Sequence, residues 1–224
     1  MQHVAQFCSY PERMNAFKIK TMKKLAMISF FLLAGAVGFA QEADVEIGKE
    51  PSQWSIGPTA GYGHTYITPY TDHFYSHWNL GMTAVYGPVE WWGFGADLLY
   101  SIEGGRHSEG HREDKDHITR LSYLRIPVKG MVFLRDYEDD FRPKFTLGPS
   151  FGFLLNADDN YDIGVYKFDM GLAGSLGFNY RLYPGTWLTF DIGMYQGITD
   201  VRIGNERQDY NGHIGLNLGV AFGI

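Results

Sequence analysis

The last eleven residues alternate without a break: Ile214, Leu216, Leu218, Val220, Phe222 and Ile224 fall on one side, and Gly215, Asn217, Gly219, Ala221 and Gly223 on the other. A period of two places one set on each face of a β-strand, and no helix of 3.6-residue period accommodates it. The same division recurs upstream. Phe168, Met170, Leu172, Leu176, Phe178 and Tyr180 oppose Asp169, Gly171, Ala173, Ser175, Gly177 and Asn179, while Leu188, Phe190, Ile192 and Met194 oppose Thr189, Asp191 and Gly193. Further alternating runs cover roughly 54–67, 77–87, 91–103, 118–134 and 143–155. In the fourth, Leu124, Ile126, Val128 and Val132 oppose Tyr123, Arg125, Pro127 and Lys129, and Pro127 marks a defect in the hydrogen-bond ladder. The chain past Trp54 therefore reads as eight antiparallel strands.

The links between strands alternate in length. Gly87–Glu90, Arg135–Arg142 and Arg181–Gly185 are short or modest, whereas 68–76, 104–117, 156–166 and 199–211 are longer and polar. Tight turns on one rim and long loops on the other are the habit of an up-and-down barrel in an outer membrane, and an even strand count puts both ends on the tight-turn, periplasmic side. A soluble lipocalin-like carrier also alternates, but its outer face needs many Lys and Glu and its interior needs the bulky residues. Here the polar face is mostly Gly, Ser, Thr, Asn and Ala, which suits a packed lumen, so the apolar face is assigned to lipid. Trp54, Trp78, Tyr86, Trp91, Trp92, Tyr100, Phe141, Tyr180, Tyr183 and Trp187 cluster near strand ends, as interfacial girdles would. A mean hydropathy of −0.22 is no objection, because averages hide alternation.

The segment ahead of the strands reads as an address. Met22-Lys23-Lys24 leads into an apolar run from Leu25 to Phe39 and the small-residue stretch Gly38-Phe39-Ala40, the three regions of a secretory signal peptide. The expectation is a natural start at Met22, cleavage between Ala40 and Gln41, a lead-in over 41–53 and a barrel over 54–224. Cys8, the one cysteine, falls in the removed part, so no disulfide or thiol chemistry is expected. Without residues 1–40 the net charge of −6 deepens, leaving 14 basic against 24 acidic residues, which excludes a phosphate-backbone binder such as a nucleic-acid protein.

Four groups of residues carry candidate chemistry. Asp97, Arg125, Lys129, Asp169 and Asp191 share the lumen face, where a narrow barrel forces charges to pair, and a structural ion-pair network is expected. His107, His111 and His117 among Glu109, Glu113, Asp114 and Asp116 offer imidazole and carboxylate to a divalent cation, but without a helix their spacing converges on nothing, and a solvated loop is favoured. Asp158, Asp159, Asn160 and Asp162 lack the glycine and distal glutamate of a calcium loop. His64, Ser101 and Glu103, taken as lying near the outer rim, are the one triad of nucleophile, base and acid that can be written for a lipid-modifying enzyme.

Tyr123-Leu124-Arg125-Ile126-Pro127-Val128-Lys129, Leu147-Gly148-Pro149-Ser150-Phe151-Gly152, Phe168-Asp169-Met170-Gly171 and the closing Leu218-Gly219-Val220-Ala221-Phe222 resemble the PorT-like outer-membrane β-barrel family of Gram-negative bacteria over residues 54–224. The resemblance implies a small eight-stranded barrel of the OmpA and OmpX type, without a cofactor or an assigned activity. Outer-membrane lipid and lipopolysaccharide are the expected surroundings, with insertion by the barrel-assembly machinery. A structural or envelope-interaction role is the leading reading, ahead of a narrow channel, a lipid-modifying enzyme and a soluble lipocalin-like carrier.

Overall fold

A computed structural model describes residues 53–68, 74–108, 116–159, 164–203 and 208–224. The expected signal segment, Met22, the Ala40–Gln41 junction and most of the expected lead-in lie outside them. Eight antiparallel strands close into a barrel in sequence order: β1 Trp54–Thr68, β2 Tyr75–Val89, β3 Trp92–Ser108, β4 Asp116–Phe133, β5 Phe141–Asp159, β6 Phe168–Tyr183, β7 Thr186–Gly197 and β8 Tyr210–Gly223. Closure comes from β1 pairing with β8, where Ser55 faces Gly223 and Thr68 faces Tyr210. Following the register once round from Ser55, through Val85, Gly95, Lys129, Gly148, Ala173, Tyr195 and His213, leads back to Thr65, ten residues along the same strand. That stagger corresponds to a strand tilt of roughly 40°. Both ends of the barrel domain lie on one rim, here the terminal rim, with the links 90–91, 134–140 and 184–185; the other four links form the loop rim.

The alternation resolves as the sequence implies. Leu98, Leu147, Leu172, Leu176, Ile192, Leu216 and Leu218 point outward and are each about half exposed, while Thr83, Leu99, Ser101, Arg125, Thr146, Ser150 and Asp169 on the opposite parity are buried in the lumen. A coat of exposed leucines is unsuited to water and suited to lipid, and the closed sheet leaves no free edge in the wall. The 17–19 residues of β3, β4 and β5 exceed the ~9–11 a bilayer requires, so the barrel stands proud of the membrane at the loop rim. Pro127 does interrupt the ladder, since β3–β4 pairing skips residues 126–127; a second gap in β4–β5 pairing at 128–129 lies opposite Gly148 and Pro149, and the register holds on both sides of each.

Two expectations about links are corrected. Residues 104–108 and 116–117 of the segment 104–117 are strand, because β3 runs on to Ser108 and β4 begins at Asp116, with His107 opposite His117. Gly104 serves a close approach between the two strands. Gly104 adopts φ of 139°, and a Cβ there would sit 1.9 Å from the Thr119 carbonyl oxygen. Gly104→Ala is expected to cost about 1–3 kcal/mol in folding free energy, read from urea unfolding in lipid vesicles. Likewise Asp158 and Asp159 belong to β5, opposite Arg120 and Thr119, and Asn160 and Asp162 fall outside the described residues, as do His111, Glu109, Glu113 and Asp114. Trp187 is also corrected. It is 5% exposed and points into the lumen at the terminal rim, where Arg142 and Arg181 pack on its ring at 5.6 and 4.8 Å, so it belongs to no interfacial girdle. Its parity with Thr189 and Asp191 puts it inside.

Candidate functional site

The lumen is filled in three levels. At the loop rim Ile67, Leu121, Tyr123 and Val201 form an apolar plug, with Leu154 and Val165 packed against it. Val201 comes from the β7–β8 link, and its neighbour Arg202 bridges to Val165 in the β5–β6 link, so two links are tied across the mouth. Leu155 is the residue skipped where β4–β5 pairing shifts between Ser122 and Tyr123, and Leu154 reaches the plug on the same parity that turns Thr146 and Ser150 inward.

The middle level is ionic. The Arg125 guanidinium donates from Nε to Glu103 Oε1 and from Nη2 to Glu103 Oε2, each at 2.6 Å, and Nη2 also reaches Asp169 Oδ2 at 2.8 Å. All three residues are at most 2% exposed. The Tyr195 hydroxyl donates to Asp169 Oδ2 at 2.9 Å, the Thr199 hydroxyl to Oδ1 at 3.1 Å, and the Ser101 hydroxyl to Glu103 Oε1 at 2.7 Å. Asn211 donates its amide to Glu103 Oε2. The guanidinium carbon also sits 4.0 Å from the Tyr195 ring centroid and 5.1 Å from that of Tyr123. His77 and His213 stack beside this group, with ring centroids 4.2 Å apart and planes within 10°.

The terminal half is hollower. Lys129 Nζ lies 2.6 Å from Asp97 Oδ2, Lys144 Nζ lies 3.0 Å from Asp191 Oδ2, and Thr83 and Ser175 hydroxyls donate to Asp97 and Asp191. These pairs line a cavity of about 140 Å³ that runs from Arg142 and Trp187 near the rim to His77, Arg125 and His213.

Of the five lumen residues read from the sequence, the structure pairs Arg125 with Asp169 and Lys129 with Asp97, and gives Asp191 to Lys144. Glu103, the closest partner of Arg125, was placed instead in a rim triad. That triad is not assembled. His64 is exposed on the outer face near Phe74, whereas Ser101 and Glu103 are buried inside the barrel, because 64 and 101 lie on opposite faces of their strands. His77, Lys144, Tyr195, Asn211 and His213 went unnoticed in the sequence, although counting by twos from Asn79, Thr146, Gly193 and Gly215 places all five on the lumen face; Asn211 was read as the end of the 199–211 link.

Among solved structures, the outer membrane protein OprG of Pseudomonas aeruginosa superposes with a TM-score of 0.52 at 14% identity, covering 78% of this chain and 97% of that one. Outer membrane protein W of E. coli gives 0.48 at 14% identity over 78% of this chain and 99% of that chain, and neisserial surface protein A gives 0.48 at 14% over 79% and 100%. The likeness to OprG shows a common fold and nothing about activity. No curated protein sequence matches. A family model described as outer membrane protein beta-barrel domain matches residues 39–202, well over half of the sequence. With an apolar outer wall, a closed eight-stranded sheet and this match, the chain belongs to the outer membrane protein β-barrel domain family.

Proposed function

We propose that this protein is a sealed barrel of the Gram-negative outer membrane with a structural or envelope-interaction role, and that it belongs to the PorT-like branch its motifs resemble. The observation that carries the reading is the continuous closure of the lumen: the apolar plug at the loop rim sits directly on the Glu103–Arg125–Asp169 level. Its surroundings are outer-membrane lipid and lipopolysaccharide, its insertion depends on the barrel-assembly machinery, and the loop rim faces outward with both termini in the periplasm. The long β3, β4 and β5 then lift the loops above the headgroups, where a partner can reach them. No catalytic role is assigned to any residue, the Ser–His–acid set being dispersed. The test is conductance in planar bilayers. The purified barrel is expected to give no discrete steps, and steady channel activity from the wild type would replace this reading by the narrow channel, which the cavity in the terminal half favours.

A further inference from the structure

Two carboxylates, Glu103 and Asp169, share one guanidinium in the middle of the lumen, so that level carries one surplus negative charge where an unpaired ion is costly. Neighbouring cations are committed elsewhere: Lys129 to Asp97, Lys144 to Asp191 and Arg202 to Asp209. Beside the surplus charge stand two imidazoles. His77 Nδ1 lies 3.0 Å from the Ile102 carbonyl oxygen, which can only accept, so Nδ1 carries the proton and Nε2 accepts from the Asn79 amide at 3.2 Å, a lone pair that an ion would take over. His213 Nδ1 is 3.8 Å from Glu103 Oε1 and is buried without a hydrogen-bond partner. One donor atom from each of His77, Glu103 and His213 falls within 4.8 Å of the others. Two amides that hold this group, Asn79 on His77 and Asn211 on Glu103, each leave a buried Oδ1 unsatisfied.

Two imidazole nitrogens and a carboxylate are the donor set of zinc and its neighbours and not of calcium or magnesium. We propose that His77, Glu103 and His213 bind one divalent transition-metal ion, reached from the terminal rim through the cavity that both histidines line. The two rings are nearly parallel, and parallel planes share no point, so binding turns His213 about its side-chain bonds. His77 stays fixed by Ile102, and His213, 16% exposed to the cavity, has the room. Arg125 remains on Glu103 as the group that orients the ligating carboxylate. A dication turns the surplus of −1 into +1, and one hydroxide or chloride at the coordination position facing the cavity restores neutrality.

The test is titration of the chelator-treated full barrel in detergent with Co2+, whose visible absorption reports its ligands, followed by Zn2+. One equivalent of Co2+ is expected to bind and to be displaced by Zn2+. His213→Ala is expected to abolish the uptake while keeping heat-modifiable migration, and a variant with His107→Ala, His111→Ala and His117→Ala to retain it, which separates this site from the loop histidines. Should the lumen variant fail to fold, wild-type imidazole 15N signals decide: those of His77 and His213 shift with Zn2+ and that of His64 does not. No stoichiometric uptake, uptake unchanged in His213→Ala, or a metal-free His213 that is doubly protonated and indifferent to Zn2+ would each overturn the site.

Discussion

Replacing Arg125 by alanine is expected to destabilise the folded barrel by about 3–5 kcal/mol, because it leaves two buried carboxylates with no guanidinium between them. The loss exceeds that of an ordinary surface ion pair, which is worth at most ~1 kcal/mol, since Glu103 and Asp169 are fully buried in the lumen. The measurement is equilibrium urea unfolding in phospholipid vesicles, followed by tryptophan fluorescence. Arg125→Ala combined with Glu103→Gln and Asp169→Asn removes the stranded charges together, and is expected to recover a large part of the stability. A neutral single substitution would show a hydrated middle level and would favour a conducting lumen. Arg125→Lys is not expected to substitute, because a single ammonium cannot reproduce the two parallel bonds to Glu103 together with the contact to Asp169.

Placing arginine at Leu218 tests the opposite face. Leu218 is 55% exposed on the outer wall, between Ala60 of β1 and Phe190 of β7, and neighbours Leu216 and Val220 on the same face. If that face meets hydrocarbon, Leu218→Arg costs ~2–4 kcal/mol, falling toward zero for the same change close to either rim. Leu172→Arg, on the other side of β7, gives a second reading at 52% exposure. Unfolding free energies in vesicles that are unchanged by both substitutions would mean that the outer wall faces water, against the whole assignment of faces. Conversely, in a soluble barrel a surface arginine replacing an exposed leucine would be neutral or would aid solubility.

The alternation of β6, β7 and β8 carried the strand count and the face assignment because the physical requirement is local: each residue either meets lipid or does not, and its neighbour does the reverse. The end of β3 was misplaced because the polar residues past Glu103 read as a link, whereas Gly104 allows the close cross-strand approach to Thr119 that carries the strand on. Glu103 was legible and passed over. It continues the inward series Asp97, Leu99, Ser101, and the supposed loop at 104–117 drew it to the rim. Trp187 was misread for a related reason, a compositional habit of strand ends outweighing a parity that Thr189 and Asp191 already set. The pairing choices inside the lumen were not legible at all. Whether Asp191 meets Lys129 or Lys144 depends on the stagger of ten residues around the barrel, which emerges only when β1 closes on β8.

Cell fractionation followed by electrophoresis with and without boiling tests most directly whether the barrel is embedded in a membrane. Recovery in the outer-membrane fraction, with the unboiled protein migrating ahead of the boiled one, is the predicted result. Recovery as a soluble periplasmic protein with no heat-dependent shift would contradict the outward placement of Leu172, Leu216 and Leu218, and with it the sealed outer-membrane barrel.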